Sequence, residues 1–551
     1  MAKKMLSILL ALTMLLSLAA CGGAPASTPA SAPASQPASA PAALADPFGK
    51  YEPGIELSAV RYLPDGIKFA EGEAIDNKIW AKTYQNDLGV KVNYIWTTPS
   101  DQYNQKLNTY VASEELPDLM WVNAAQLKRL VEDGQLADLT QIYEEYKAPL
   151  TDKILNDDGG NALKSATFGG KLYGLPHMQS GIGSTHVLWL RTDWLKKLNL
   201  PEPKTMQDLL AISKAFKEND PDGNSKNDTF GLGVNKDLFG FYAALEGFFN
   251  GYHAYPNTWV TGADGKLTYG STQPEMKTAL TELQRMYKDG EIDLEFGVKD
   301  AGKVSEGVNS GKIGMYFGYF WNAGWMQDGK GQDPDMEWAA YPIPSIDGTA
   351  AKAQVPFATS WYTVVSADCK NPEAAIKMYN LVLEKNYGET AEPSVYNVAP
   401  DGTALFDYCY TYGEPPMKNL DAQALVSAAL ENKDTSKLNA EQMGYYTNCS
   451  NYLAGDNTFW GNYLMYGPTG SLSVINQYVK NNNKMDNAFF GAPTESMAEK
   501  NATLDKLQLE TFTKIIAGNV SVDEFDKFVE NWNKLGGDAI TAEVNEWQAQ
   551  R

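Results

Sequence analysis

The chain lacks most of what a metalloenzyme, a disulfide scaffold or a nucleic-acid binder requires. Cysteine is scarce, with four in 551 residues. No CxxC pair is present to hold zinc, and once Cys21 is set aside an odd number remains, which makes no disulfide framework. A Cys409–Cys449 bridge and two separate thiols both stay open, while Cys369, in SADCKNPEAA, reads as a small buried thiol at a strand-to-helix turn. Histidine occurs three times. There is no HExxH pair and no GxSxG elbow. GWMQDGKG approaches a phosphate loop, but Gly331 stands where Ser or Thr would hold magnesium, so the segment reads as a flexible surface turn. Positive charge is in deficit, 46 Lys and Arg against 68 Asp and Glu, for a formal net charge of −22. That charge repels nucleic acid and anionic lipid. The same abundance of carboxylates singles out no pair for glycoside hydrolysis. After the amino-terminal segment no stretch of about 18 apolar residues follows to span a membrane.

What is present begins with MAKKMLSILLALTMLLSLAACGG. Lys3 and Lys4 form a basic start, and Met5 to Ala20 make an apolar run too short for a stable span and ending in small residues. This is the pattern of a secretory signal. Leu18-Ala19-Ala20-Cys21 resembles the lipobox of bacterial lipoproteins, which implies cleavage before Cys21 and lipid on its thiol. Residues 22 to 45 carry prolines at 25, 29, 33, 37 and 41 among Ala and Ser. Such a segment has too little large apolar surface to fold; extended as polyproline II at ~3.1 Å per residue it reaches about 70 Å. The expected layout is a signal over 1–21 and a tether over 22–50, holding a folded body near a membrane while leaving it free to move.

The remaining chain is too long for one hydrophobic core and suits two large lobes. IELSAVRYL and VKVNYIW read as strands around a helix near NKIWAKTYQND. DLMWV, GKLYGLP and the start of STHVLWLRTDWL continue the alternation of strands with helices, which indicates sheets covered by helices. Thr205 with Asp208 predicts a capped helix whose stripe is Leu209, Leu210, Ile212 and Phe216. Ser521 with Glu524 predicts another, with Phe525, Phe528, Val529, Trp532 and Leu535 on one face and Gly536-Gly537 as its stop.

Several segments, in order, resemble carbohydrate-importer binding proteins: LPDLMWVNAAQLKRLVEDGQLADLT, GKLYGLP, VLWLRTDWLKKLNLPEPKTMQDLLAISKAFKENDPDGNSKNDTFGL, GKIGMYFGYFWNAG, YPIPSIDG, SWYTVVSADCKNPEAAIKMYN and the tail from FFGAPTES onward. The chain is therefore identified as resembling the family-1 extracellular solute-binding lipoproteins, related to maltose-type and alginate-oligosaccharide binders. The resemblance implies a two-lobe α/β fold of the type II periplasmic-binding-protein kind, with the ligand in an interlobe cleft. It also implies a non-enzymatic, monomeric receptor that delivers a saccharide to ABC-importer permease subunits at the outer face of the cell membrane. By that analogy the first lobe is built from 51–178 and 356–415, the second from 179–355 and mainly 416–551. A carbohydrate-active enzyme and a receptor for peptide or another solute are the alternatives.

A saccharide site needs aromatic plates for the C–H faces of the ring and polar groups for its hydroxyls. Trp121 and Asn123 follow PDLM at a strand end, where clefts open; packing beneath the helix is the other reading of Trp121. His177 and Gln179 fall where the first crossing is expected, either bonding ligand or lining the hinge. Phe241 and Tyr242 match a family position that offers a ring, with core packing as the alternative. Tyr319, Phe320 and Trp321 lie in a stretch too aromatic for simple alternation. Trp361 and Tyr362 sit on the return crossing, and Trp460 completes the set. Finally, NDPDGNSKNDTFG places oxygens at Asp220, Asp222, Asn224, the Lys226 carbonyl and Asp228 with the 1-3-5-7-9 spacing of an EF-hand, a structural calcium pattern. Ser225 replaces its glycine and Gly231 its bidentate glutamate. A turn closed by its own hydrogen bonds is the alternative.

Overall fold

In the computed structural model the described residues are 45–64, 67–113, 115–399 and 403–550. The signal segment, Cys21 and the tether up to residue 44 lie outside them. Nine strands build two sheets: β1 (Ile55–Leu63), β2 (Val90–Pro99), β3 (Leu119–Val122), β4 (Leu175–Met178), β5 (Val187–Arg191), β6 (Phe230–Leu232), β7 (Ile313–Gly318), β8 (Trp338–Tyr341) and β9 (Thr359–Val365). The first sheet has the order β2-β1-β3-β9-β4 and the second β8-β5-β7-β6. In the first, β1 runs parallel to β2 and β3, and the late strand β9 is inserted antiparallel between β3 and β4. In the second, β7 is parallel to β6 and antiparallel to β5. Every residue of LMWV, VLWLR and IGMYFG is buried, as expected of sheets covered on both faces by helices.

Two hydrophobic cores surround these sheets. One draws its buried residues from 57–178 and 362–410, the other from 182–355 and 420–544. The chain thus passes between the two lobes three times, and the passages lie side by side. Gln179 N–H donates to the Ala358 carbonyl at 3.1 Å, and Glu414 N–H to the Met178 carbonyl at 3.0 Å. Gly181 is required here, because a Cβ at that position would lie 2.6 Å from the Pro356 oxygen.

Local sequence accounts for the helix starts. Helix α1 (Ala124–Glu132) is capped by Asn123, which exchanges hydrogen bonds with Gln126. Helix α2 (Met206–Glu218) is capped by Thr205 and Asp208 as expected, and Leu209, Ile212 and Phe216 are buried. The carboxy-terminal helices α3 (Glu495–Ile516), α4 (Glu524–Trp532) and α5 (Asp538–Ala549) pack on the second core.

Three expectations are corrected, the cap at Ser521, the place of Leu535 on the stripe and the GWMQDGKG turn, and the open question of the cysteines is decided. Ser521 does not cap α4: its cap position is Asp523, without a side-chain capping bond, and Ser521 Oγ accepts from Asp523 N–H and donates to the Asp523 carboxylate, each at 3.3 Å. Gly536-Gly537 does end α4: Gly536, at φ 140°, leaves helical geometry in the turn Asn533–Gly537, as expected of a terminal glycine. A new helix, α5, follows at once, and Leu535 falls off the stripe at 47 % exposed while Phe525, Phe528 and Trp532 stay buried. GWMQDGKG is not a flexible turn but the end of a 3₁₀ segment (Phe320–Met326) running into a short helix (Gln327–Gln332). Its Lys330 is buried, donating to Glu337 Oε1 at 2.6 Å and to the Pro334 carbonyl at 2.7 Å. Cys409 and Cys449 form no bridge: they sit in different cores, and with Cys369 they are buried free thiols. Among the described residues no helix is long and apolar enough to cross a membrane.

Candidate ligand-binding site

In the first lobe an aromatic cluster forms where β1, β2, β3 and β9 meet the crossings. Tyr62 is its centre, with Tyr103 at 5.6 Å, Trp121 at 5.1 Å and Trp361 at 5.3 Å between ring centroids. Trp96 extends it through Tyr103 at 5.7 Å. Trp121 is mostly enclosed: its Nε1–H donates to the Tyr410 carbonyl at 2.6 Å, and the Arg61 guanidinium lies 4.1 Å from its ring centroid. Arg61 is itself fully buried and donates to the carbonyls of Cys409 and Asp407 at 2.6 and 2.9 Å, so the charge is fixed by backbone oxygens. His177 presents its ring edge to Trp121 at 4.9 Å and pairs Nε2 with Thr363 Oγ1 at 2.8 Å. Burial, with Arg61 nearby, holds its pKa down at about 3, so the imidazole is neutral.

Alternation along β9 separates its two aromatic residues. Trp361 joins the cluster, half-buried, whereas Tyr362 is buried on the opposite face and bonds Ser165 Oγ at 2.7 Å. Asn123 caps α1 and reaches Asn104 Oδ1 at 3.3 Å. Gln179 is exposed on the first crossing.

In the second lobe a matching cluster forms after β7. Phe241 and Trp321 stack at 5.1 Å and 26°. Trp325, 37 % exposed, sets its edge against Phe241 at 5.3 Å. The backbone holds the two segments together: Tyr319 N–H donates to the Phe241 carbonyl at 3.1 Å. Gly318 permits this approach, since a Cβ there would lie 2.1 Å from Asn322 Oδ1. Tyr242 is fully buried, stacked on Tyr316 at 4.7 Å. Phe320 is buried and packs on the first crossing, its ring 3.7 Å from where a Gly183 Cβ would be. Trp460 is fully buried as well, with Nε1–H on Glu337 Oε2 at 3.3 Å and Lys330 over its ring. The structure therefore brings Phe241, Tyr319 and Trp321 together, and directs Tyr242, Phe320 and Trp460 into the core.

A polar clamp sets the turn that carries Phe241. Glu246 Oε1 accepts from Gly240 N–H at 2.8 Å. His186 Nδ1 accepts from Gly247 N–H at 3.2 Å, so its protonated Nε2 donates to the Gly240 carbonyl at 2.8 Å. Burial lifts the Glu246 carboxyl to about 8 and lowers His186 to about 4, so both are neutral at pH 7. Tyr319 lies 5.3 Å from His186.

The acidic loop after α2 is closed on itself. Asp220 accepts the N–H groups of Asn224 and Ser225 at 3.0 and 2.9 Å, and Asn224 Oδ1 accepts from Lys226 N–H at 2.7 Å. Asp222 and Asp228 converge on a protein cation, Lys312 Nζ, at 3.0 and 2.8 Å. That pairing holds the Asp228 carboxyl below the usual carboxylate range. The donor oxygens have the hardness calcium prefers. As placed, however, they do not form a metal cage, and among the described residues no group of three His, Cys, Asp or Glu side chains does. A calcium ion would have to displace the ammonium.

The profile of the bacterial extracellular solute-binding protein family matches residues 67–388, more than half of the chain. The chain belongs to that family. It is 25% identical over 481 residues to the lipoprotein LipO of Bacillus subtilis, covering 84% of this chain and 87% of LipO. The polygalacturonan/rhamnogalacturonan-binding protein YtcQ of the same organism gives the same identity and the same coverage. Among solved structures, an HMO-binding, ABC-transporter-associated solute-binding protein from Bifidobacterium longum infantis superposes with a TM-score of 0.63 at 17% identity, over 90% of this chain and 98% of that one. An EF-hand mutant of the Streptococcus pneumoniae ABC-transporter substrate-binding protein FusA, in complex with fructo-nystose, gives 0.56 at 17%, over 90% and 100%. These likenesses establish the two-lobe α/β solute-binding fold.

For a solute-binding protein, the cluster members that sequence reading passed over are Tyr62, Trp96, Tyr103, Trp325 and Arg61. Tyr62 had a readable signal, its place at the carboxy-terminal end of a parallel strand. Arg61, and the clamp of His186 and Glu246, had none, because their partners lie far along the chain.

Proposed function

We propose that the chain captures a saccharide between its two lobes and presents it to the permease of an ABC importer, as a monomer tethered by lipid on Cys21 to the outer face of the cell membrane. The observation that carries this reading is the placement of an aromatic cluster in each lobe beside the same three crossings. Lobes joined by adjacent crossings can rotate, and a ligand that touches both selects the closed form. In this reading Trp361, Tyr62 and Trp96 offer ring faces from one side, and Phe241, Trp321 and Trp325 from the other. Asn123 and Gln179 supply polar contacts, while Trp121 and His177 stiffen the wall behind them. The polysaccharide and oligosaccharide ligands in the names of YtcQ and FusA support a saccharide over a peptide. Binding without turnover, and a lobe division of 51–178 with 356–415 and 179–355 with 416–551, complete the proposal. We also propose that calcium binds the 220–228 loop by displacing Lys312 and serves stability.

Melting the full chain with oligosaccharides, monosaccharides and peptides tests the function, because a ligand specific to the folded state raises the melting temperature. Saccharides are expected to stabilise. Stabilisation by peptides alone would overturn the reading, and steady release of reducing ends would favour an enzyme.

A further inference from the structure

The second lobe contains a cavity of about 480 Å³ that shares no residue with either aromatic cluster. Its wall is the hairpin that pairs Trp259 with Tyr269. Tyr269 stacks on Trp532 of α4, parallel within 8° at 4.9 Å between centroids, and both rings line the cavity with Trp259. The opposite wall is α3, where Asn501, Asp505 and Gln508 line the cavity. Their spacing of four and then three places them on one helical face. Gln508 is held by Asn257, whose Oδ1 takes the Gln508 amide at 2.8 Å and the Tyr269 hydroxyl at 3.1 Å. The Asp505 carboxylate and the Asn501 amide line the cavity from exposed positions on α3. Asp237 adds a second carboxylate, and no Lys, Arg or His lines the space.

Aromatic rings lining one space with a carboxylate and an amide are the chemistry that holds a sugar: apolar C–H groups against the rings, hydroxyls on the polar groups. Two carboxylates without a cation repel a uronate or a phosphate. We propose that this cavity is a second saccharide site, independent of the interlobe one, that takes a single neutral sugar residue and rejects its acidic counterpart. Asp505 accepts hydrogen bonds from ring hydroxyls, Asn501 flanks it, and the Tyr269–Trp532 stack supports the ring. The cavity's volume of about 480 Å³ lies in the range of small-ligand sites.

The test is saturation-transfer NMR on the full chain with galactose, xylose and galacturonate, comparing wild type with Trp321→Ala, Asp505→Lys and Asn501→Arg. The last two changes lie on the surface of α3, and a melting curve for each controls for folding. Saturable galactose or xylose binding is expected in wild type and in Trp321→Ala, at least tenfold weaker in Asp505→Lys and in Asn501→Arg, with galacturonate inactive throughout. The proposal is overturned if neutral sugars fail to bind Trp321→Ala, if Asp505→Lys and Asn501→Arg bind like wild type, or if galacturonate binds as well as galactose. An oligosaccharide that binds wild type and Trp321→Ala alike would instead count against the interlobe reading and leave this one standing.

Discussion

Replacing Trp321 with alanine separates binding from folding. Trp321 is half-buried and stacks on Phe241 at 5.1 Å, with Trp325 6.1 Å away. One face of an indole is roughly 80 Å² of the ~150–250 Å² an aromatic side chain buries. Removing that face from a bound sugar costs about 2 kcal/mol at ~25 cal/mol per Å², or roughly 30-fold in Kd. The fold loses the Phe241 stack, ~0.5–1.5 kcal/mol, in addition to the burial of a half-exposed ring, a smaller total than for a fully buried tryptophan, so the protein is expected to stay folded. Trp460→Ala is the contrasting change. Trp460 is fully buried and bonded to Glu337, so its truncation is expected to cost ~3–5 kcal/mol of stability and leave affinity nearly unchanged in the molecules that remain folded. Isothermal titration with the best stabilising oligosaccharide, beside melting curves, reads both effects. If Trp321→Ala binds like wild type while Trp460→Ala loses affinity, the assignment of the second-lobe cluster is refuted.

Three further outcomes follow from named contacts. Lys312→Met strips the counter-charge from Asp222 and Asp228, at ~1 kcal/mol; melting in chelator should fall below wild type and calcium should restore it by more than it raises wild type, whereas no calcium response in either protein removes the metal from the account. The Glu246 carboxyl, held up at about 8, keeps in the folded state a proton that the unfolded chain releases near pH ~4.3. Stability therefore declines as pH rises from the unfolded to the folded value, and Glu246→Gln, which still accepts from Gly240 N–H, should flatten that decline in melting temperature; an equal slope in both proteins contradicts the assignment. Thr205→Ala removes the cap of α2 and should lower stability by ~1 kcal/mol in urea titration, with affinity untouched.

Much of the fold was legible in sequence because its signals are local. Thr205 and Asp208 are three residues apart and cap α2 as their types require, DLMWV carries the apolar run of a buried strand, and IELSAVRYL is a strand buried along its middle. Contacts between distant residues were not legible. Trp121 and His177 stand at strand ends, where a cleft opens, yet Tyr410, 289 residues from Trp121, takes its indole N–H into the core. Lys312 closes the acidic loop from 84 residues beyond Asp228, and no spacing rule within NDPDGNSKNDTFG announces it. The glycine pair after Leu535 is a legible stop, because glycine often ends helices; that α5 then turns back onto α3 to bury Ile540 and Val544 is a long-range contact and was not.

The most direct measurement of the central claim is small-angle X-ray scattering on the full chain, with and without a saturating saccharide that raises its melting temperature. Closure of two lobes on a shared ligand should shrink the radius of gyration reproducibly, and Trp321→Ala should require a higher saccharide concentration for the same change. An unchanged radius of gyration at proven saturation would contradict capture between the lobes.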